Sequence, residues 1–205
     1  MPEIGAVVLA AGRSSRFRAA GGEEISKLVA LLDGKPLVRH AAEAALASRA
    51  RPVVVVTGHA REAVEAALAG LPVVFAHNAA FAAGLASSLR AGVAALPADV
   101  AGALVLLGDM PRIEAALLDR LIEAFAARPL ALAAAPVHGG RRGNPALLSR
   151  ALFAALARLE GDEGARRLLG EADPKRIVEV EVESDGVTLD IDTPGELAAA
   201  RNLRS

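Results

Sequence analysis

Two arginines and two serines stand in a row at positions 13–16, soon after an apolar run at residues 4–9. Ala10, Ala11 and Gly12 lie between the two stretches, and their small side chains let a bound group approach the backbone closely. Exposed backbone N–H groups at a strand end form a concavity for phosphate oxygens, and guanidinium groups add charge-assisted hydrogen bonds. The pattern predicts an anion-binding loop; the alternative is a surface turn whose arginines are only solvated.

Two familiar phosphate-binding patterns are absent from the sequence. A dinucleotide-binding fingerprint requires G-x-G-x-x-G, and a P-loop requires G-x-x-x-x-G-K-[ST]. Gly34 and Lys35 are followed by Pro36, and neither pattern occurs elsewhere. The predicted anion site is therefore of another type.

Two acidic residues follow apolar stretches later in the chain. Asp109 comes directly after the apolar run at residues 102–107, where a carboxylate cannot stay charged in a dry core and should face a crevice, paired with a cation or metal. Asp192 immediately precedes a capping box, T-P-G-E, and is favoured over Asp190 as a second carboxylate beside the first. The alternatives are an N-cap role for Asp109 and a helix-dipole role for Asp192.

Sparse polar residues follow the apolar stretch at residues 72–76. Asn78 carries a donor and an acceptor, Gly84 permits close approach, and Ser87 and Ser88 stand where a helix should begin. These residues could together read a base edge or a ribose, or they could cap the helix. A basic, glycine-rich loop at 138–145 is interpreted as an acceptor-binding lid or a solvated hairpin tip.

Composition limits the class of protein. The chain has 205 residues, a net charge of −1, 2% aromatic residues and no cysteine. A single domain over residues 1–205 is expected, without disulfides, thiolate metal sites or a cysteine nucleophile. Low charge and few aromatic side chains argue against nucleic-acid binding. Without a long apolar run or a signal-peptide pattern, a cytoplasmic protein that does not bind membranes is expected.

The rest of the pattern alternates apolar strands with amphipathic helices. Continuous apolar strands separated by helices imply a mostly parallel sheet covered on both faces. We therefore expect an α/β fold, a three-layer α/β/α sandwich with a Rossmann-like sheet, in which ligands bind at the carboxyl ends of the strands. Strands are predicted at residues 4–9, 52–57, 72–76, 102–107 and 130–137, with an edge strand at 177–182. Pro36 is expected at the first position of one helix, and a later helix is expected at 152–159.

Several separated motifs together carry a family resemblance. They are L-A-A-G-R-S-S-R at 9–16 with Lys27 downstream, T-G-H at 57–59, N-x5-G-L-x-x-S-L at 78–89, G-D-M-P at 108–111, R-G-N-P at 142–145, L-E-G-D-E-G-A-R at 159–166 and D-I-D-T-P at 190–194. In this order they resemble the molybdenum cofactor cytidylyltransferases, within the molybdenum cofactor nucleotidyltransferases of the wider nucleotidyltransferase superfamily. The chain departs from the family pattern in a long insert before Lys27 and in Phe17-Arg18, which replaces the usual Met-Gly.

The resemblance implies a role for each motif. The implied catalytic residues are Arg16, Lys27 and Asp109, and the implied ligands of Mg²⁺ (or Mn²⁺) are Asp109 and Asp192. The implied nucleotide-binding residues are Leu9, Ala10, Ala11, Gly12, Arg13, Ser14, Ser15, Asn78, Gly84 and Ser87. The implied acceptor-binding residues are Arg142, Asn144, Asp162 and Arg166. His59 either contacts a substrate or is structural.

The implied reaction transfers CMP from CTP to the terminal phosphate of a molybdopterin-type cofactor and releases pyrophosphate. Such chemistry depends on positioning and charge neutralisation more than on a proton-transfer residue. The alternatives are a guanylyltransferase, transfer to another phosphorylated acceptor, and a non-catalytic chaperone that hands molybdenum cofactor to an enzyme; a molybdenum hydroxylase is the client considered. The resemblance also implies a role for Ala11 in the choice of base. The cytidylyl enzymes resemble this chain in having Leu-Ala-Ala-Gly at this loop, whereas the enzymes that use guanine nucleotides have Leu-Ala-Gly-Gly.

Overall fold

A computed structural model describes residues 2–202, in which strands and helices alternate as predicted. The strands are β1 (Ile4–Ala10), β2 (Leu31–Leu32), β3 (Lys35–Pro36), β4 (Val53–Thr57), β5 (Val74–His77), β6 (Gly102–Leu107), β7 (Ala133–His138), β8 (Arg141–Arg142), β9 (Ala146–Ser149) and β10 (Ile177–Glu181). The α-helices are α1 (Ser15–Ala19), α2 (Leu37–Ala47), α3 (Arg61–Ala67), α4 (Leu85–Ala94), α5 (Ala115–Ala126), α6 (Phe153–Leu156), α7 (Ala165–Glu171) and α8 (Pro194–Asn202). Short 3-10 helices lie at Lys27–Val29, Phe81–Ala83, Arg150–Leu152, Pro174–Arg176 and Asp185–Val187. None of the helices within this range is both long and apolar enough to cross a membrane.

One mixed sheet forms the centre of the described chain, with strand order β10-β7-β9-β6-β1-β4-β5 and with β8 paired to β7. The pairs β1–β4, β1–β6, β4–β5 and β7–β10 are parallel. Strand β9 runs antiparallel to both β6 and β7, so β7 and β10 keep the direction of the other long strands. The carboxyl ends of β1, β6 and β7 therefore lie at the same edge.

Two apolar cores cover the two faces of this sheet. Along β1, Ala6 and Val8 belong to one core, whereas Val7 and Leu9 belong to the other. Side chains of α2, α3 and α5 complete the first core, and those of α4, α6 and α7 complete the second. Since successive residues of a strand point to opposite faces, a strand buried on both faces must be apolar throughout. The predicted three-layer α/β/α sandwich is confirmed.

Strand β9 is a feature that the sequence analysis missed. Its four residues follow the glycine-rich loop and pair with both neighbouring strands, from Gly102 to Val105 of β6 and at Ala133 and Ala134 of β7. A run this short has no periodicity of its own, and pairing on both sides decides its conformation.

Several predicted boundaries are also wrong. Pro36 lies in the β2–β3 hairpin and precedes α2, so it is not the first helical residue. The helix predicted at 152–159 divides into a 3-10 turn and the four-residue α6. The strand predicted at 130–137 starts at Ala133, because Leu130 is exposed in the preceding turn.

A third apolar cluster joins segments that are far apart in the sequence. Phe17 of α1, Leu37 of α2 and Leu197 of α8 are buried together with Ala30, Leu32 and Ile191. The backbone N–H of Ile191 also donates to the carbonyl of Asp109, with an N···O distance of 3.1 Å. These contacts bring the C-terminal segment next to the loop that follows β1, which we call the first loop (residues 11–16), and next to the end of β6.

Candidate active site

A cavity of about 530 Å³ opens at the carboxyl ends of β1 and β6. Its volume lies in the range usual for small-molecule sites, roughly 300–1,000 Å³. Leu9 of β1 lines it together with the first loop, which contributes Ala11, Gly12, Arg13, Ser14, Ser15 and Arg16. Lys27, Gly84, Asp109, Asp162 and Asp192, also named from the sequence, line other parts of the wall.

Four charged side chains meet on this wall; we call Arg16, Lys27, Asp109 and Asp192 the ionic cluster. The Lys27 Nζ atom lies 2.6 Å from Asp109 Oδ2 and 2.6 Å from Asp192 Oδ1. An Arg16 guanidinium nitrogen pairs with Asp192 Oδ2. The remaining oxygen, Asp109 Oδ1, is buried and has no hydrogen-bond partner within residues 2–202.

Local backbone contacts position Lys27 and Arg16. Ser14 has a left-handed backbone conformation with φ of 52°, which is strained for a residue with a side chain. Its Oγ atom accepts a hydrogen bond from the backbone N–H of Lys27 (N···O 3.1 Å) and lies 3.2 Å from Ser26 Oγ. Ser14 therefore ties the first loop to the segment that carries Lys27.

The predicted capping box is present and holds Asp192. The Thr193 side chain accepts from the N–H of Glu196 (3.2 Å), and the Glu196 carboxylate accepts from the N–H groups of Thr193 (2.9 Å) and Asp192 (2.7 Å). Both reciprocal bonds of a capping box are thus made at the start of α8. The Asp192 backbone is fixed, while its carboxylate faces the cavity.

Burial and ion pairing shift the pKa values of two members of the ionic cluster. Burial raises the pKa of the Asp109 carboxyl, and the Lys27 ammonium offsets this effect only in part. Burial would lower the pKa of Lys27, but Asp109 and Asp192 outweigh it, so that this pKa is raised. Lys27 is therefore protonated at neutral pH, and the Asp109 carboxylate gains from further positive charge.

The two carboxylates suit a divalent cation that is shared with a substrate. Mg²⁺ is usually bound through one or two carboxylates together with substrate phosphates and water. Asp109 and Asp192 converge on one ammonium group, and Asp109 Oδ1 lacks a partner in the described part of the chain. No group of three or more acidic or histidine side chains in this part of the chain is arranged to hold a metal, so phosphate and water would supply the other ligands.

Asn78 and Ser87 do not lie where the sequence analysis expected. Both side chains are buried behind the cavity wall; with Ser88 they form what we call the amide–hydroxyl cluster. The Asn78 amide donates to the hydroxyl oxygens of Ser87 (2.8 Å) and Ser88 (3.1 Å) and accepts from the N–H of Ala80 (3.0 Å). These bonds use the polar atoms of Asn78 within the protein. Ser88 is the member of the cluster that reaches the wall.

Three of the four predicted acceptor-binding residues also lie off the wall. Arg142 is in β8 and pairs with Glu179 at 2.6 Å, and Arg166 is exposed at the start of α7. Asn144 donates its backbone N–H to the carbonyl of Val187. Asp162 does line the cavity, and its carboxylate lies 3.4 Å from the N–H of Leu85 at the start of α4.

Gly84 and Ala10 differ in their relation to the cavity. At Gly84, φ is +97°, and an added Cβ atom would lie 2.2 Å from the carbonyl oxygen of Gly161. Glycine is therefore required where the Asp162 loop closes onto α4. Ala10 is fully buried within β1, opposite Thr57, and does not reach the cavity.

The sequence analysis did not identify the apolar part of the wall. Phe17, Leu28, Phe81, Ala82, Leu85 and Leu107 contribute to it. Phe81 and Leu85 follow the carboxyl end of β5. Because ligands bind at the carboxyl ends of parallel strands, this position in the sequence could have identified them as wall residues. The His59 ring lies 6.0 Å from that of Phe81 and outside the cavity lining, and its Nε2 atom is buried without a hydrogen-bond partner among the described residues.

Comparison with known proteins identifies the family of this chain. The model of the MobA-like NTP transferase domain matches residues 6–177. A curated relative, the Bifunctional protein GlmU of Kineococcus radiotolerans, is 39% identical over 123 residues, which are 59% of this chain and 24% of that protein. The chain thus matches about a quarter of the length of such curated relatives.

Two solved structures are similar over 98% of this chain and 98% of their own. One is Rv0371C of Mycobacterium tuberculosis H37Rv in complex with manganese, with 28% identity and a TM-score of 0.78. The other is a nucleotidyl transferase from Methanothermobacter thermautotroptrophicus, with 27% identity and a TM-score of 0.84. Because the family model matches residues 6–177, which are most of the chain, the protein belongs to the family of MobA-like NTP transferase domains.

Proposed function

We propose that the protein transfers CMP from CTP to the terminal phosphate of a molybdopterin-type cofactor and releases pyrophosphate. The observation that carries this proposal is the ionic cluster on the wall of the cavity, beside the small-residue loop that ends β1. Transfer of a nucleotidyl group requires that a polyanion is held in place and that its charge is neutralised. A buried ammonium, a guanidinium and two carboxylates provide these functions without a general base.

Each member of the ionic cluster has a distinct role in the proposed reaction. Arg16 and Lys27 bind the triphosphate and stabilise the leaving pyrophosphate, because guanidinium and ammonium groups form strong charge-assisted bonds with phosphate. Asp109 and Asp192 hold a divalent cation, either Mg²⁺ or Mn²⁺, which supplies additional charge neutralisation at the phosphates. The manganese complex of the similar Rv0371C supports the use of a divalent cation.

The acceptor side of the proposal is supported by the motifs R-G-N-P and L-E-G-D-E-G-A-R. Asp162, from the second motif, lies on the cavity wall. The first motif follows β7 at the same edge of the sheet, and its Asn144 is bonded to Val187, five residues before Asp192. We assign Arg142, Asn144 and Arg166 to acceptor contacts beyond the wall, next to the segment that carries the metal ligand.

The second candidate is nucleotidyl transfer to a different phosphorylated acceptor. The identity of 39% with a Bifunctional protein GlmU over 123 residues supports it. It requires the same ionic cluster but a different group beside Asp162.

A pyrophosphate-release assay distinguishes these candidates. The protein is mixed with Mg²⁺ and with ATP, CTP, GTP or UTP, each with and without a molybdopterin-type cofactor. We expect release with CTP only when the cofactor is present. Preference for GTP would indicate a guanylyltransferase, and release that depends on a sugar phosphate would favour the second candidate. No release with any combination would favour a chaperone without chemistry.

A further inference from the structure

The four carboxylate oxygens of Asp109 and Asp192 differ in which side-chain cation contacts them. Lys27 contacts one oxygen of each residue, Asp109 Oδ2 and Asp192 Oδ1. Arg16 contacts the second oxygen of Asp192, and the second oxygen of Asp109 is the one without a partner in the described residues. On Asp192 both oxygens are paired with a side-chain cation, so a metal ion that binds this carboxylate must compete with Lys27 or Arg16.

The two competing cations differ in their freedom to move. The Lys27 side chain is 12% exposed, and its backbone is tied to Ser14. The Arg16 side chain is 76% exposed and reaches Asp192 from the short helix α1. Exposed ion pairs are weak and exchange readily, whereas removing a buried ammonium leaves buried charges unpaired. Arg16 is therefore the cation that can leave.

We propose that Arg16 gates metal binding: its guanidinium occupies Asp192 Oδ2 and excludes a divalent cation until a triphosphate draws it away. This inference rests on the proposed function, since it assigns Arg16 to the triphosphate when nucleotide is bound. Mg²⁺ binds oxygen at about 2.0–2.1 Å, and a guanidinium in contact with the same oxygen repels it. The Lys27 ammonium has three N–H donors, so it can keep its contacts with both carboxylates and donate the third to the triphosphate.

The gate makes metal and nucleotide binding interdependent. The triphosphate binds Arg16 and frees Asp192 Oδ2, so each ligand removes an obstacle to the other. Such coupling is reciprocal, and the two affinities change by the same factor. The protein alone is then a poor binder of free divalent cation, although two carboxylates face the cavity.

The decisive measurement is Mn²⁺ binding to the full chain without nucleotide. Binding is monitored through the electron paramagnetic resonance signal of free Mn²⁺. We expect Arg16→Met to lower the Mn²⁺ dissociation constant by about fivefold or more, the lower end of typical coupling between sites. Arg18→Met removes the same charge from the same helix but does not line the cavity, and should bind Mn²⁺ as wild type does. An unchanged or weakened affinity in Arg16→Met overturns the gate.

A double-mutant cycle tests whether Asp192 is the contested ligand. In an Asp192→Asn background, Arg16→Met should no longer tighten Mn²⁺ binding, because the contested carboxylate is gone. Persistence of the full tightening would mean that Arg16 acts through general repulsion, and would contradict the proposal.

Measurements of CTP binding distinguish a failure of this inference from a failure of the proposed function. CTP binding is measured with EDTA present. When Arg16 is intact, Asp192→Asn should tighten CTP binding, because Arg16 no longer has to leave a carboxylate before it binds the triphosphate. In the Arg16→Met background the same change should tighten CTP binding much less. A loss of this difference overturns the gate. If wild type binds CTP neither in EDTA nor with Mg²⁺, the proposed function fails, and the Mn²⁺ series still decides whether Arg16 competes with metal.

Discussion

The ionic cluster and the amide–hydroxyl cluster lie at the same edge of the sheet but use their polar atoms differently. Both come from motifs that the sequence analysis assigned to ligand binding. In the amide–hydroxyl cluster, the Asn78 side chain makes three hydrogen bonds within the protein. In the ionic cluster, the charges face a cavity, and one buried oxygen of Asp109 has no partner among residues 2–202.

This difference separates a structural polar group from a binding group. Buried polar atoms that satisfy one another stabilise the fold and leave no capacity for a ligand. A buried carboxylate with an unsatisfied oxygen and a raised pKa is costly for the protein alone and is typical of a functional site. The comparison predicts that changes in the ionic cluster affect turnover, whereas changes in the amide–hydroxyl cluster affect stability.

The largest effect is expected for Asp109→Asn. This change keeps the shape of the side chain but removes the charge that would hold a divalent cation, so we expect kcat to fall by ~10²-fold or more. The thermal midpoint should stay near that of wild type, because a neutral amide is less costly to bury than a carboxylate. Pyrophosphate release and thermal denaturation are measured on the same sample. Near-normal activity that depends on Mg²⁺ would remove Asp109 from the mechanism.

The next largest effect is expected for Asp192→Asn, which is compared with Asp190→Asn in the same C-terminal segment. Asp192 lines the cavity and contacts Lys27 and Arg16, whereas Asp190 is exposed and is not part of the wall. Asp192→Asn should therefore lower kcat/KM by roughly 10²-fold, as expected when a major electrostatic stabiliser is lost. Asp190→Asn, the matched control, should lower it much less. The reverse ranking would show that Asp190 is the ligand.

In the amide–hydroxyl cluster, Asn78→Ala should act on stability. Loss of the amide removes its hydrogen bonds to two serine hydroxyls and one backbone N–H, although Ser87 still donates to the carbonyls of Ala80 and Gly84. The free energy of unfolding should therefore fall by about 1–3 kcal/mol. Among molecules that remain folded, kcat/KM for CTP should change less than in Asp192→Asn. Denaturant unfolding and pyrophosphate release are compared. A large loss of activity with normal stability would indicate that Asn78 contacts the nucleotide directly.

The smallest effect concerns Ala11, which lies on the cavity wall. In the proposed reaction its methyl group would narrow the space beside the base, and steric differences of this size are worth ~1–3 kcal/mol in discrimination. Ala11→Gly should therefore reduce the preference for CTP over GTP without inverting it. The ratio of kcat/KM for the two nucleotides is measured in both proteins. A wild type that prefers GTP contradicts the cytidylyl proposal, and an unchanged ratio contradicts the role of Ala11.

The sequence by itself determined the layered fold and much of the cavity. Continuous apolar strands such as β1 require burial on both faces, and the carboxyl edge of a parallel sheet is where ligands bind. For this reason the loop after Leu9 and the aspartate after Leu107 could be placed on one crevice. The capping box at Thr193 was also predictable, because it depends on four consecutive residues.

Other features were decided only by tertiary contacts. Strand β9 forms because two neighbours pair with it, and Asn78 turns away from the cavity because two serines of α4 accept its amide hydrogens. Lys27 meets Asp192 across 165 positions of sequence, through a small apolar cluster that no local pattern reveals. Periodicity and local spacing specify which face of an element is buried, but the partner of a charged or polar side chain depends on which distant segments pack together.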